Sequence, residues 1–269
     1  MLTNLLNIRG KLCALNAWVM GIVNITPDSF YAASRTQSDT LLRQRIAELM
    51  HEGADVIDIG ACSTRPHAEI VSEAEEIERL RQALPVIREV APEAVLSVDT
   101  FRPSVAMMCA DEFGVGIIND VEGREGANFE AMATIAAQRK MPYVYTSHDA
   151  DLLTMIRHAS ADIQHLHEIG VHDVIFDAGF GFGKTTKQNY QILGSLEKLQ
   201  ILDAPLLVGI SRKTMIREVL DVSADEALNG TTALHAIALQ KGAQILRVHD
   251  VKEAVETRKL VQELNNDLI

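Results

Sequence analysis

Eight short apolar runs punctuate this chain, each ending in a polar or glycine-bearing cluster, and seven of these clusters carry candidate chemistry. Residues 19–23 lead into Asn24-Ile25-Thr26-Pro27-Asp28-Ser29-Phe30, and residues 54–60 into Ala61-Cys62-Ser63-Thr64-Arg65-Pro66. The run at 95–98 stops at Asp99-Thr100, that at 116–118 at Asn119-Asp120, and that at 174–176 at Asp177. Residues 206–210 stop at Ser211-Arg212-Lys213, and 245–246 at Arg247-Val248-His249-Asp250. Between the runs the spacing predicts helices at roughly 39–52, 72–90, 103–112, 128–139, 151–169, 189–199, 213–220, 224–241 and 251–264. The second places Ile77, Leu80, Leu84 and Ile87 on one face, and Ser72 stands three residues before Glu75, as in a capping box.

Strands of nearly continuous apolar content suit a parallel sheet covered by helices on both faces. About eight strand–helix repeats favour an α/β fold closed into a (β/α)8 TIM barrel over an open doubly wound sheet, which has fewer strands. Residues 5–15 read as an N-terminal hairpin turning at Arg9-Gly10, placed to cover the bottom of the barrel. With no linker or composition shift, residues 1–269 read as one barrel domain. In such a barrel the exit ends of the strands build the active site, so the polar clusters belong to one face.

Composition narrows the classes. A hydrophobic share of 47% without an apolar run near about 20 residues argues for a soluble protein with no membrane partner. Asn4, Asn7 and Arg9 interrupt any signal-peptide core, which points to the cytoplasm. Cys13, Cys62 and Cys109 are far apart and lack a CxxC pattern, as expected of reduced thiols rather than a zinc site. The net charge of -12 argues against nucleic acid as a partner. It leaves room for a small anion, because Arg65, Lys213, Arg247 and His249 all fall at strand exits.

Asp99, Asn119 and Asp177 each follow a strand directly. Buried carboxylates need donors, and two of them with an amide around one cavity suit a flat heterocycle rich in N–H groups, such as an aminopyrimidinone. Each alone is equally explained as a helix or turn cap. Gly179-Phe180-Gly181-Phe182-Gly183-Lys184-Thr185 fails a Walker A pattern at Ala178 and fails GxGxxG spacing at Lys184, so it reads as a loop that approaches a ligand through backbone and Phe182. Arg65, with Ser63 and Thr64, suits a phosphate or carboxylate, or else an ion pair with the acidic helix that follows. Arg247 and His249, two apart on an extended segment, project to one side and could grip an anion. Asn24 and Asp28 could help hold Mg²⁺, but no dense carboxylate cage is visible, so a metal would arrive with a phosphorylated substrate. His148, His158, His165, His167 and His172 share no ligand spacing and are assigned no chemistry.

Taken together, these segments resemble the dihydropteroate synthases, the pterin-binding barrel enzymes of folate synthesis. Seven ordered motifs carry the likeness over nearly the whole chain: 20–30, 58–66, Ser97-Val98-Asp99-Thr100, Ile118-Asn119-Asp120-Val121, 177–184, Ser211-Arg212-Lys213 and Arg247-Val248-His249-Asp250. The resemblance implies that Asp99, Asn119, Asp177 and Lys213 hold the pterin. It implies that Asn24, Thr64, Arg65, Arg247 and His249 bind the pyrophosphate, Asn24 together with Mg²⁺. Phe30, Pro66, Phe182 and Ser211 would shape the p-aminobenzoate site. Lys213, Arg247, Asp99, Thr64 and Arg65 would carry catalysis, and the chain would form a homodimer. The implied reaction joins (7,8-dihydropterin-6-yl)methyl diphosphate to p-aminobenzoate.

Several positions depart from the family pattern. The second loop has Cys62 and His67 where Glu and Gly are usual. Ala178 replaces a proline, and Tyr31-Ala32-Ala33-Ser34 replaces a glycine pair. The fifth strand ends in Thr146-Ser147-His148-Asp149-Ala150 where the family has Met-His-Met-Gln-Gly. Two other readings share the fold: a pterin-dependent methyltransferase, which needs neither the Arg247–His249 pair nor the Ser63-Thr64-Arg65-Pro66 loop, and a pterin-binding paralogue without turnover.

Overall fold

Arg9 and Gly10 both adopt positive φ, 53° and 83°, as a tight two-residue hairpin turn requires. They join β1 (Leu5–Ile8) to β2 (Lys11–Ala14) in the expected hairpin. The computed structural model describes residues 5–25, 35–62 and 71–266. Eight further strands follow: β3 (Trp18–Asn24), β4 (Val56–Gly60), β5 (Val95–Asp99), β6 (Ile117–Asp120), β7 (Tyr143–Thr146), β8 (Val174–Asp177), β9 (Leu206–Val208) and β10 (Ile245–Val248). All pair in parallel with their sequence neighbours, and β10 pairs with β3 to close the barrel.

The helices that separate them are α1 (Arg35–Glu52), α2 (Glu73–Val90), α3 (Pro103–Phe113), α4 (Phe129–Arg139), α5 (Leu152–Glu168), α6 (Thr186–Gly194), α7 (Thr214–Leu220), α8 (Leu228–Gln240) and α9 (Val251–Asn266). Ser72 caps α2, its hydroxyl accepting from the Glu75 N–H at 3.2 Å. The sixth helix lies about a turn earlier than its apolar spacing predicts. Thr185 and Gln188 form a complete capping box that starts α6 early, and after Gly194 the chain tightens into a 3-10 segment, Leu196–Leu202. A 3-10 turn, Asp225–Ala227, likewise precedes α8.

Side chains alternate between two cores. Val19, Ile57, Leu96, Ile118, Tyr145 and Phe176 point outward and pack in the large cluster shared with the helices. Met20, Val56, Ile117, Val144, Ile175 and Leu207 fill the lumen, and Leu6, Ile8 and Leu15 of the hairpin segment close it from below. The barrel is therefore solid at its base, and only its exit end can admit a ligand.

Candidate active site

Period-two alternation carries the lumen phase of each strand to its exit end, where apolar residues give way to polar ones. Above Val56 stands Asp58; above Val95, Ser97 and then Asp99; above Ile117, Asn119; above Val144, Thr146; above Ile175, Asp177; above Ile245, Arg247. Asp58, Ser97, Asn119 and Thr146 are at most 1% exposed, and Asp99 and Asp177 are also buried. Asp58 Oδ1, Ser97 Oγ and Thr146 Oγ1 find no hydrogen-bond partner among the described residues. Unpaired buried polar atoms are costly, and three in one layer suit a polar ligand better than a close-packed core.

Arg247 organises this layer. Its Nε donates to Asp58 Oδ2 at 2.7 Å and its Nη2 to Asp99 Oδ2 at 2.5 Å. Asp58 Oδ2 also accepts from Asn119 Nδ2 at 3.0 Å, so a single carboxylate oxygen holds two of the expected site residues. Burial disfavours the Arg247 charge, but Asp58 and Asp99 more than offset it and raise its pKa, so the guanidinium stays protonated. The cost falls on Asp99. Burial pushes its carboxyl up to about 7 against the pull of Arg247, and neighbouring Asp58 adds to the rise.

Across the lumen, Asp177 Oδ1 accepts the Gly179 N–H at 2.8 Å. Gly179 sits at φ +62° with the Ser147 carbonyl oxygen 2.0 Å from where a Cβ would stand, so only glycine makes this turn. Burial raises the Asp177 pKa, opposed by Lys213. Lys213, the residue before α7, is half-buried, and loss of hydration pushes its ammonium down to about 8 against the pull of Asp177. Its Nζ donates to the Phe180 carbonyl and lies 4.8 Å from the Phe182 ring centroid. Lys184 donates to the carbonyls of Ser147 (2.9 Å) and Gly179 (3.0 Å), and burial lowers it to about 8 as well.

On the third side, buried Ser211 ties β9 to β10. Its Oγ accepts the His249 N–H at 3.2 Å and lies 3.1 Å from His249 Nδ1. Arg45 donates to the His249 carbonyl at 2.7 Å, and Arg212 grips Asp250 with two 2.8 Å bonds. Asn24 is half-buried at the end of β3, in register with Gly60, which is in register with Asp99.

Asp99, Asn119, Asp177, Lys213 and Arg247 thus converge on one lumen, with Asn24, Ser211, His249 and Phe182 at its rim. Arg247 bonds two lumen carboxylates, whereas His249, just past the end of β10, meets Ser211. Phe30, Thr64, Arg65 and Pro66 lie outside the described residues. Sequence reasoning passed over Asp58, whose signal was an acidic residue in the middle of an apolar strand. It also passed over Thr146 in the lumen and His148, which packs on Phe182. No group of three or more His, Cys, Asp or Glu that could hold a metal occurs among the described residues. Nor is any described helix long and apolar enough to cross a membrane.

Residues 20–249 match the family of pterin binding enzymes. The dihydropteroate synthase of Bacillus subtilis (strain 168) is 38% identical over 258 residues, covering 92% of this chain and 88% of that protein. A Xanthomonas albilineans dihydropteroate synthase solved with 4-aminobenzoic acid superposes with a TM-score of 0.86 at 35% identity, over 97% of this chain and 98% of that one. The Thermus thermophilus enzyme in complex with 6HMPPP gives 0.83 at 31% identity, over 97% and 99%. With that lumen at the exit end of a closed parallel barrel, the chain belongs to the dihydropteroate synthase family of pterin-binding enzymes.

Proposed function

We propose that this chain condenses (7,8-dihydropterin-6-yl)methyl diphosphate with p-aminobenzoate, giving 7,8-dihydropteroate and pyrophosphate for folate synthesis. The observation that carries the reading is the set of buried Asp99, Asn119 and Asp177 with half-buried Lys213 at the exit end of the barrel, whose acceptors and single ammonium complement the donor edge and carbonyl of a pterin. Relatives solved with 4-aminobenzoic acid and with 6HMPPP support both substrates.

In this reading Asp177 receives the amino and ring N–H groups of the pterin. Asn119 and Asp99 meet the opposite edge, and Lys213 donates to the carbonyl side. The methylene–oxygen bond breaks, its electron pair leaving on the diphosphate. The arylamine lone pair then forms the carbon–nitrogen bond, and the nitrogen loses a proton. The electron-rich pterin spreads the charge of the departing methylene, so no side-chain nucleophile is required and positioning with electrostatics supplies the acceleration. His249 and Arg247, with Thr64 and Arg65, bind the diphosphate. Phe182 and Ser211, with Phe30 and Pro66, receive the arylamine. Among the described residues Asn24 offers a single amide oxygen, suited to an ion carried by the diphosphate, whose charge that ion would neutralise.

Calorimetric titration with the pterin diphosphate, run beside a pyrophosphate-release assay with p-aminobenzoate, tests the reading. Tight binding and release dependent on p-aminobenzoate are expected. Binding without release identifies a paralogue that has lost turnover, and methyl transfer from a methylated folate identifies the other enzyme on this fold.

The lowered Lys213 pKa adds a pH prediction. Its ammonium is the donor, so pterin affinity should fall about tenfold per unit above about 8, once the ionisation of the ligand and of Asp99 near 7 is subtracted. Lys184 titrates in the same range. Lys213→Arg should therefore remove the dependence, whereas Lys184→Arg should leave it in place. A homodimer in the cytoplasm completes the reading. Exposed Val219 and Leu220 on α7 and Ile237 on neighbouring α8 supply an apolar face for the second copy, and light scattering would give the mass.

A further inference from the structure

His148 lies just past the end of β7, in the stretch where the chain departs from the family's methionine-bearing run. Its Nε2 lies 2.7 Å from the carbonyl oxygen of Val121, which fixes the ring across the mouth between β6 and β7. That ring stacks on Phe182, with centroids 5.2 Å apart and planes inclined by only 2°. Phe182 itself follows two glycines held at positive φ, Gly179 and Gly181, and precedes a third, Gly183. Such a backbone gives its side chain little support, and the ring is only half-buried. The Phe182 ring is also where Lys213 Nζ rests, 4.8 Å from the centroid. His148 is therefore the side chain that sets the plane of an aromatic surface directly beside the ammonium of the pterin cavity.

We propose that His148 is a positioning residue for the arylamine substrate, holding Phe182 as the flat wall against which the p-aminobenzoate ring lies. The inference rests on the function proposed above and names a determinant of its second substrate. The stack, rather than the hydrogen bond to Val121, carries the effect. A planar ring keeps Phe182 from rotating without placing a long flexible arm beside the incoming amine.

Steady-state kinetics on four variants test it. His148→Ala and His148→Asn remove the stack, the second retaining a donor for Val121, and both should raise KM for p-aminobenzoate about fivefold to tenfold. His148→Phe keeps the stack without the hydrogen bond and should stay within about twofold of the unsubstituted protein. In all three, kcat and the calorimetric affinity for the pterin diphosphate should be unchanged, and melting curves identify any variant that fails to fold. Phe182→Ala should raise the same KM, with no further rise when combined with His148→Ala. The proposal is overturned if His148→Ala and His148→Asn keep the p-aminobenzoate KM, or if they weaken pterin binding equally. It is also overturned if His148→Phe behaves like His148→Ala. A parent protein that releases no pyrophosphate would instead remove the functional reading. Equilibrium binding of p-aminobenzoate with the pterin and pyrophosphate present would then still report on the stack.

Discussion

Arg247→Met should destabilise the folded protein by about 3–5 kcal/mol and lower kcat by about 10²–10³-fold. The guanidinium is the shared counter-ion of Asp58 and Asp99, bonded to them at 2.7 and 2.5 Å. Methionine fills a similar volume, so the loss reports charge rather than a cavity. Two buried carboxylates left without a cation must protonate or force the barrel mouth open. The deficit should therefore depend on pH in a defined direction. Asp99 already holds its proton up to about 7, well above its ordinary carboxylate value. Without Arg247 the folded state binds protons that the unfolded chain has released. Loss of Arg247 raises the Asp99 carboxyl further still, so the penalty is complete only at pH values above that higher point and shrinks as the pH falls toward about 7, where the parent protein also takes up its proton. Adding Asp58→Asn should recover part of the loss, since it removes one of the two stranded charges while leaving an oxygen for Asn119. Chemical denaturation of the single and double variants at pH 8 and pH 5.5 measures both effects. Equal deficits at the two pH values would sink the account.

That cluster also explains what the sequence could and could not disclose. Asp99, Asn119 and Asp177 were legible because each interrupts an apolar run at its last lumen-facing position, and a barrel leaves only that position open to a ligand. Asp58 obeys the same alternation, but Ile59 and Gly60 follow it, so its strand reads as ending later and the carboxylate is hidden inside. Arg247 and His249 were legible as two polar groups where an apolar run ends. Their partners were not, because Asp58 lies 189 residues from Arg247 in the chain, and only closure of β10 on β3 brings them together. The histidines mark another limit. His148 lacks any ligand spacing, and its role depends on a stack with a residue in the next exit loop, which periodicity does not encode. The helix that was misplaced, α6, failed for a local reason: the Thr185–Gln188 capping box was masked by the glycine-rich segment that attracts a nucleotide reading.

The polar layer also separates stability from function, because its members are individually unfavourable to the unliganded fold. Asp99 and Asp177 are raised by burial, Lys213 is lowered by it, and three polar atoms go unpaired. A core of this size tolerates the penalty: the outer cluster of strand and helix residues and the closed lumen base supply the cohesion that the mouth lacks. Sites built this way gain stability when simplified and lose their ligand in the same step.

Asp177→Asn should show that exchange most clearly. The amide oxygen of asparagine can still accept the Gly179 N–H, which the carboxylate now takes on Oδ1 at 2.8 Å, so the turn is kept. The second oxygen becomes an NH2 group that faces the amino and ring N–H donors of the pterin, donor against donor. Two charge-assisted hydrogen bonds are lost, each worth about 1.5–3 kcal/mol, and pterin affinity should fall about 10²–10³-fold. Lys213 loses the carboxylate that opposes its burial, so its ammonium titrates lower still and the remaining affinity should fade at a lower pH than in the parent protein. The unliganded variant should nonetheless melt at the same temperature or higher above neutral pH, because a carboxylate that burial disfavours has been replaced by a neutral group. Arg247→Met reverses the balance, with a large loss of stability and a smaller loss of pterin affinity. Titration calorimetry beside melting curves separates the two. Pterin affinity within about threefold of the parent in Asp177→Asn would remove this residue from the recognition edge and leave it a turn-forming group.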